Sequence, residues 1–191
     1  MPEGSSNAHE HREIARLRPP SEGSLPEDVK AISVANHGEN WIRALAINPD
    51  TARRFTAYFS NLFDPKGGRL SIRERELIAV VVSATNGCGL CEIHHTLALG
   101  DALGDAVKAK RVALDHHLAP LSAREYAIVD FAHKVTTEPK SVDDADFEGL
   151  RAVGLEDADI LEALETSAWF NHTNRIFISL GVVPDEKYFA R

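Results

Sequence analysis

Two cysteines and a pair of histidines fall within eight consecutive residues, Cys88-Gly89-Leu90-Cys91-Glu92-Ile93-His94-His95. If that segment is helical, the spacing suits thiol redox chemistry. Asn86-Gly87 breaks whatever helix precedes it, so a new helix is expected to start near Cys88 and run through Leu99 to Gly100. Cys88 and Cys91 are then i,i+3 neighbours, close enough to close a disulfide. Cys91 and His95 are i,i+4 neighbours on one face, where an imidazole can take a thiol proton. Both sulfurs sit near a helix N-terminus, whose unpaired N–H groups favour the thiolate, the form that attacks peroxides and disulfides. On the helix dipole alone Cys88, nearer the N-terminus, is the attacking sulfur.

A base needs orientation. Glu76, at the edge of the apolar run Leu77-Ile78-Ala79-Val80-Val81-Val82, is a candidate to hold His95, as a carboxylate orients the base in other triads. The competing reading pairs Glu76 with Arg73 or Arg75 on a solvated face. The plain alternative for the cysteines is two small buried hydrophobes. A zinc site is the sharper rival, with Cys88, Cys91 and either His95 or His94 as ligands, but it lacks a fourth ligand. There is no second cysteine pair, and His116-His117, His133 and His172 have no metal-ligand spacing. No metal and no cofactor is therefore expected. His94, about 100° around the helix from His95, is expected to point away from Cys91, and His116-His117, before Pro120, to be solvated. His37, followed by Gly38 and preceding Trp41, is a possible pocket residue. So are Asn171 and Asn174, polar groups inside an apolar helix.

The elements that must position these groups read as helices almost throughout. From about Leu25 onward the apolar period is helical and no stretch alternates long enough for a sheet, so the class is all-α. Asn48-Pro49 starts one helix, with Phe55, Tyr58, Phe59 and Leu62 on a core face before Pro65-Lys66-Gly67-Gly68 stops it. Ser71 with Glu74, and Ser122 with Glu125, form S-x-x-E capping boxes. The last long helix runs from about Asp157 to Leu180, with Gly181 just past its end and Pro184 beyond. Residues 1–24, rich in Ser, Gly, Pro and charge, read as an N-terminal arm able to dock on a neighbouring subunit, and residues 25–191 as the helical domain.

Leu70-Ser71-Ile72-Arg73-Glu74 resembles Leu121-Ser122-Ala123-Arg124-Glu125, and Leu97-Ala98-Leu99-Gly100-Asp101 resembles Arg151-Ala152-Val153-Gly154-Leu155. This argues for a diverged internal duplication, with repeat 1 at about 70–115 and repeat 2 at about 121–165. Only the first copy keeps the chemistry, because Ala127 stands opposite Glu76 and no cysteine follows it.

Composition excludes other roles. With 29 acidic against 21 basic residues, a net charge of −8 and no Lys/Arg cluster, nucleic acid is not an expected partner. The longest apolar run is far short of the roughly 20 residues that cross a bilayer, so no membrane span is expected. No apolar segment follows a positive start at the N-terminus, so no secretory signal is read and a cytoplasmic location is expected. Two close cysteines in a chain of 191 residues, 43% hydrophobic, suit redox or metal use better than structural stapling.

Glu76, eleven residues, then Cys88-x-x-Cys91-x-x-x-His95, set behind Leu70-Ser71-x-Arg73-Glu74, resemble the alkyl hydroperoxidase D (AhpD) and carboxymuconolactone decarboxylase superfamily, specifically its peroxidase-related branch. The resemblance extends from about Leu25 to Phe189 and includes Phe170-Asn171-x-x-Asn174-Arg175 and Leu180-Gly181-Val182. It implies an AhpD-like helical bundle with the internal duplication, assembled as a homo-oligomer, trimer or hexamer. It also implies a thiol-dependent peroxidase of the alkyl hydroperoxide reductase type, acting on a peroxide substrate. Cys91 is then the peroxidatic thiolate, Cys88 the resolving thiol that forms the redox-active disulfide with it, His95 the base and Glu76 the relay. Cys91 is taken over Cys88 because it alone sits one turn from His95. The implied reductant is a thiol protein of lipoyl-, thioredoxin- or peroxiredoxin-like type. The chain departs from the pattern at Leu90, where AhpD proper has a histidine that aids the relay; leucine has neither a proton to give nor a lone pair to accept one. The alternatives are a decarboxylase or lactone-handling enzyme on the same fold, using His and Arg groups, and a non-catalytic redox-sensing oligomer.

Overall fold

In the computed structural model, which describes residues 14–190, every regular element among the described residues is helical. The chain runs through α1 (Glu27–Ala35), α2 (Asn40–Leu45), α3 (Pro49–Leu62), α4 (Ile72–Asn86) and α5 (Gly89–Leu103). It continues through α6 (Ala106–Leu114), α7 (Ala123–Thr137), α8 (Asp144–Ala152) and α9 (Asp157–Leu180), with short 3-10 turns between.

Local chemistry sets the helix starts. The Asn48 side chain accepts from the Asp50 and Thr51 amides ahead of Pro49, which has no amide proton to leave unpaired. Ser71 and Ser122 close complete capping boxes with Glu74 and Glu125. The two boxes are also cross-linked. Arg73 pairs with Glu125, and Arg124 Nε donates to Glu74 Oε1 at 2.7 Å, so corresponding residues of the two similar segments bridge reciprocally between α4 and α7.

α4 is the beam of the fold. Ile78, Ala79 and Val82 enter a main core shared with α3 and α9, while Leu77, Val80 and Val81 enter a second core with Leu99, Ala109, Val112 and Val129. A helix apolar on all sides has to be covered on all sides, and α5, α7 and α9 supply the cover. Deep beside it, Arg75, 1% exposed, donates to Glu162 Oε1 at 2.7 Å and to the carbonyls of Asp64 and Gly67. Glu162 also accepts from the Arg69 and Leu70 amides. This one buried pair therefore fixes the α3–α4 connection. Gly68, at φ +81°, allows its approach: a Cβ there would lie 1.6 Å from Arg75 Nη2.

Several sequence expectations are revised. Of the expected arm, residues 1–13 lie outside the described residues. Ile14 and Ala15 are buried, and the Arg16 amide donates to Leu180 O at 2.7 Å, so this stretch docks on the end of its own α9. α5 continues past Gly100 to Leu103, because Gly100 keeps its helical conformation and Gly104 takes the left-handed turn that ends the helix. Tyr58 is 41% exposed, its ring stacked on Trp169 at the surface. His116 is only 8% exposed, because Asp130 of α7 engages its Nε2 at 2.8 Å.

Candidate active site

The cysteines sit at the junction of α4 and α5. α4 ends at Asn86, and Gly87, at φ 70°, reverses the chain in a conformation that favours glycine. Cys88 is the N-cap of α5, with its amide donating back to Ser83 O at 2.9 Å and its carbonyl accepting from the Glu92 amide. Cys91 follows in the first turn. Both thiols are free and buried, at 1% and 5% exposure.

From the neighbouring turn of α4, Glu76 Oε2 lies 2.7 Å from His95 Nδ1. Arg73 and Arg75 are engaged elsewhere, by Glu125 and Glu162. The His95 ring meets Phe170 edge-on, with centroids 4.7 Å apart, and Phe63 packs nearby. A carboxylate on Nδ1 and rings on the flanks fix both tautomer and orientation, leaving Nε2 as the nitrogen for proton transfer.

The two thiols are unequal. Cys88 is lowered to about 7, first because the Cys91 thiol donates a hydrogen bond to it, then because the Cys91 amide, Asn174 and the charge of His95 outweigh the burial that opposes them. Cys91 is pushed well above the usual thiol value, because ionising it would break its bond to Cys88, because it is buried and because the Cys88 charge repels it. The first proton leaves Cys88, and the pair then shares the second as an S–H···S⁻ bond. This is the ordering the helix dipole suggested.

Asn174, fully buried, donates to Ser83 Oγ at 3.1 Å and accepts from Asn86 Nδ2 at 3.0 Å, and its amide favours the ionised form of both thiols. It sits beneath the cysteines, with no place on the cavity wall. Asn171 is one layer further off, tying Asn86, Thr136 and Arg175 together.

A cavity of about 50 Å³ opens on Cys91, with His95, His94 and Leu90 of the same helix on its wall and Trp41, Trp169 and other aromatic rings opposite. Cys88 does not line it. His37 is not there either: it occupies the turn between α1 and α2 at φ 56°, exposed to solvent. His94, expected to point away from Cys91, lines the same cavity as Cys91 and His95.

The residues behind His94 have no sequence signature. Tyr188 stacks on its ring at 3.8 Å between centroids. Glu39 accepts from Trp41 Nε1 at 2.9 Å, Lys187 Nζ at 2.5 Å and Tyr188 Oη at 2.6 Å. Only the aromatic side of α9 offers a clue, since Trp169, Thr173 and Phe177 recur every four residues and all reach the cavity. Among the described residues, the imidazole and carboxylate groups close enough to share a cation are Asp115-His116-His117 and Glu39-His94-Asp185, and neither includes a cysteine.

Residues 49–114 match the carboxymuconolactone decarboxylase family. Among solved structures, the alkylhydroperoxidase AhpD core of an uncharacterized peroxidase-related protein from Ralstonia eutropha JMP134 is 32% identical, with a TM-score of 0.87 over 92% of this chain and 95% of that one. An uncharacterized peroxidase-related protein from Silicibacter sp. TM1040 is 30% identical, with a TM-score of 0.88 over 97% of this chain and 99% of the other. The debrominase Bmp8 shares the fold at 20% identity, with a TM-score of 0.73 over 94% of this chain and 95% of that one. No curated protein matches the sequence.

Proposed function

The chain belongs to the AhpD and carboxymuconolactone decarboxylase superfamily, and from that footing we propose that it is a thiol-dependent peroxidase reducing organic hydroperoxides. The observation that carries this reading is the position of Cys91: it lines the cavity one turn along α5 from the more acidic Cys88 and one helical turn from a histidine held by a buried carboxylate.

The pair starts with Cys88 ionised and Cys91 protonated. Cys91 attacks the terminal oxygen of the hydroperoxide as its proton passes to Cys88, so no free Cys91 thiolate has to form in its buried setting. An S–O bond forms, the O–O bond breaks and the alkoxide leaves, taking through His95 the proton that Cys88 released on ionising. Cys88 then attacks the Cys91 sulfenic acid, forming the disulfide and releasing water with the Cys88 proton. The net change is one hydroperoxide and two thiols to one alcohol, one water and one disulfide. Two electrons return from a protein dithiol of the lipoyl-, thioredoxin- or peroxiredoxin-like class. Assembly as a trimer or hexamer belongs to the same proposal.

Hydroperoxide consumption with a dithiol reductant tests it, comparing wild type with Cys91→Ser, Cys88→Ser and His95→Ala. Both cysteine variants should lose turnover, and His95→Ala should be slower by about 10²-fold or more, the usual contribution of a positioned base. Equal rates in wild type and Cys91→Ser would sink the assignment.

A further inference from the structure

The proposed cycle uses one of the two histidines on the cavity wall. His94 is mostly buried, lines the cavity beside Cys91, and its Nε2 has no hydrogen-bond partner among the described residues. A buried ring nitrogen left unpaired is unfavourable unless a ligand satisfies it. The ring is nonetheless firmly held: Tyr188 stacks on one face at 3.8 Å, and Tyr188 is itself anchored through its hydroxyl to Glu39.

The ring's orientation selects its role. Glu39 Oε2 stands 3.9 Å from Nδ1, too far for a hydrogen bond but near enough that its charge draws the ring proton to that nitrogen. The lone pair then resides on Nε2. Leu90, on the same wall, offers no polar atom, and His95 Nδ1 is occupied by Glu76.

We propose that His94 Nε2 binds the substrate, accepting a hydrogen bond from the terminal O–H of an organic hydroperoxide and so presenting that oxygen to Cys91. This rests on the peroxidase reading and divides the work between two imidazoles, since His95 moves the proton while His94 holds the oxygen under attack. Accepting that bond requires an uncharged ring, because a doubly protonated imidazole has no free lone pair. Burial meets this requirement, lowering His94 to about 4 against the pull of Glu39, with the charges of His95 and Lys187 acting in the same direction as burial. The apolar walls opposite, with Trp41 and Trp169 among them, take the organic substituent rather than water.

The test uses tert-butyl hydroperoxide as substrate and iodoacetamide as a probe of the thiols that has no peroxide O–H to donate. A bond made equally in the ground and transition states appears in KM and leaves kcat unchanged. His94→Leu should therefore raise KM about tenfold, the usual worth of one such bond, with kcat and the alkylation rate at wild-type values. His94→Gln, whose side-chain oxygen can accept the same bond, should recover most of that loss. An unchanged KM in His94→Leu overturns the role of His94 and leaves the peroxidase reading standing. So does a slowed alkylation shared by both variants, which would make the ring a packing element for the cysteine turn. Wild-type protein that alkylates but does not oxidise with the hydroperoxide overturns the peroxidase reading, and this role with it.

Discussion

Replacing Glu76 by Gln changes one atom and one charge at a point 2.7 Å from His95 Nδ1. Both side chains are largely buried, so solvent screens the pair little. The glutamine oxygen can still accept the Nδ1 hydrogen bond, so ring orientation should survive. What disappears is the charge that stabilises the imidazolium formed while His95 carries a proton. A Coulomb estimate at an effective dielectric of about 20 and a charge separation of about 4 Å gives about 4 kcal/mol as a ceiling. Hydrogen bonds to charged groups contribute about 1.5–3 kcal/mol, and this is the range expected once the neutral bond is kept. It corresponds to a slowing of about 10- to 150-fold. The assay is single-turnover oxidation of the reduced protein by tert-butyl hydroperoxide at pH 7, followed by free-thiol loss, with a thermal melt to confirm folding. The melt should hold or rise slightly, since removing a buried charge also removes its desolvation cost. A rate within twofold of wild type in a folded protein would refute the relay.

Further outcomes follow from the geometry. Iodoacetamide labelling of reduced wild type should inflect near pH 7, because Cys88 is depressed to about 7 and reactive thiolate grows as pH rises through that value; in Cys91→Ala, which removes the principal donor, the inflection should move up toward the unperturbed 9.0. The same depression stabilises the fold fully above 9.0, and that contribution fades as pH falls through about 7, so Cys88→Ser should lose more stability relative to wild type at pH 9 than at pH 6 in paired denaturant melts. Glu162→Ala strands the buried Arg75 charge and two backbone amides, and should cost about 3–5 kcal/mol in urea unfolding, an order of loss that no surface ion pair of this chain should match.

The parts of the site legible in the sequence are those set by short-range geometry. Cys88, Cys91 and His95 fall within one helix, where spacing determines direction. Glu76 lies 19 residues before His95 across a single glycine turn, so two adjacent antiparallel helices bring them together. The helix boundaries marked by Asn48, Ser71, Ser122 and Gly181 are legible for the same reason, since caps are local chemistry. What escapes depends on where elements land. Trp41 comes from α2, Trp169 from α9 and Tyr188 from the C-terminal turn, and nothing in their local sequence says that the tryptophans line a cavity with His94 or that the tyrosine stacks on its ring. The nearness of His37 to Trp41 in the chain misleads, because the left-handed turn after α1 sends the two apart. The burial of His116 is equally hidden, because its partner, Asp130, arrives from the next helix.

The two-sided burial of α4 bears on which parts of the site can move. A helix loaded by a core on each face cannot slide or tilt without opening one of them, so its amides should exchange only on the scale of global unfolding. Glu76, Ser83 and the anchor of the Cys88 amide are thereby stationary reference points. Freedom to rearrange is then left to the first turn of α5 and to Tyr188, in the C-terminal turn that backs His94. Any change at the cysteine turn would therefore be taken up there, with α4 unmoved.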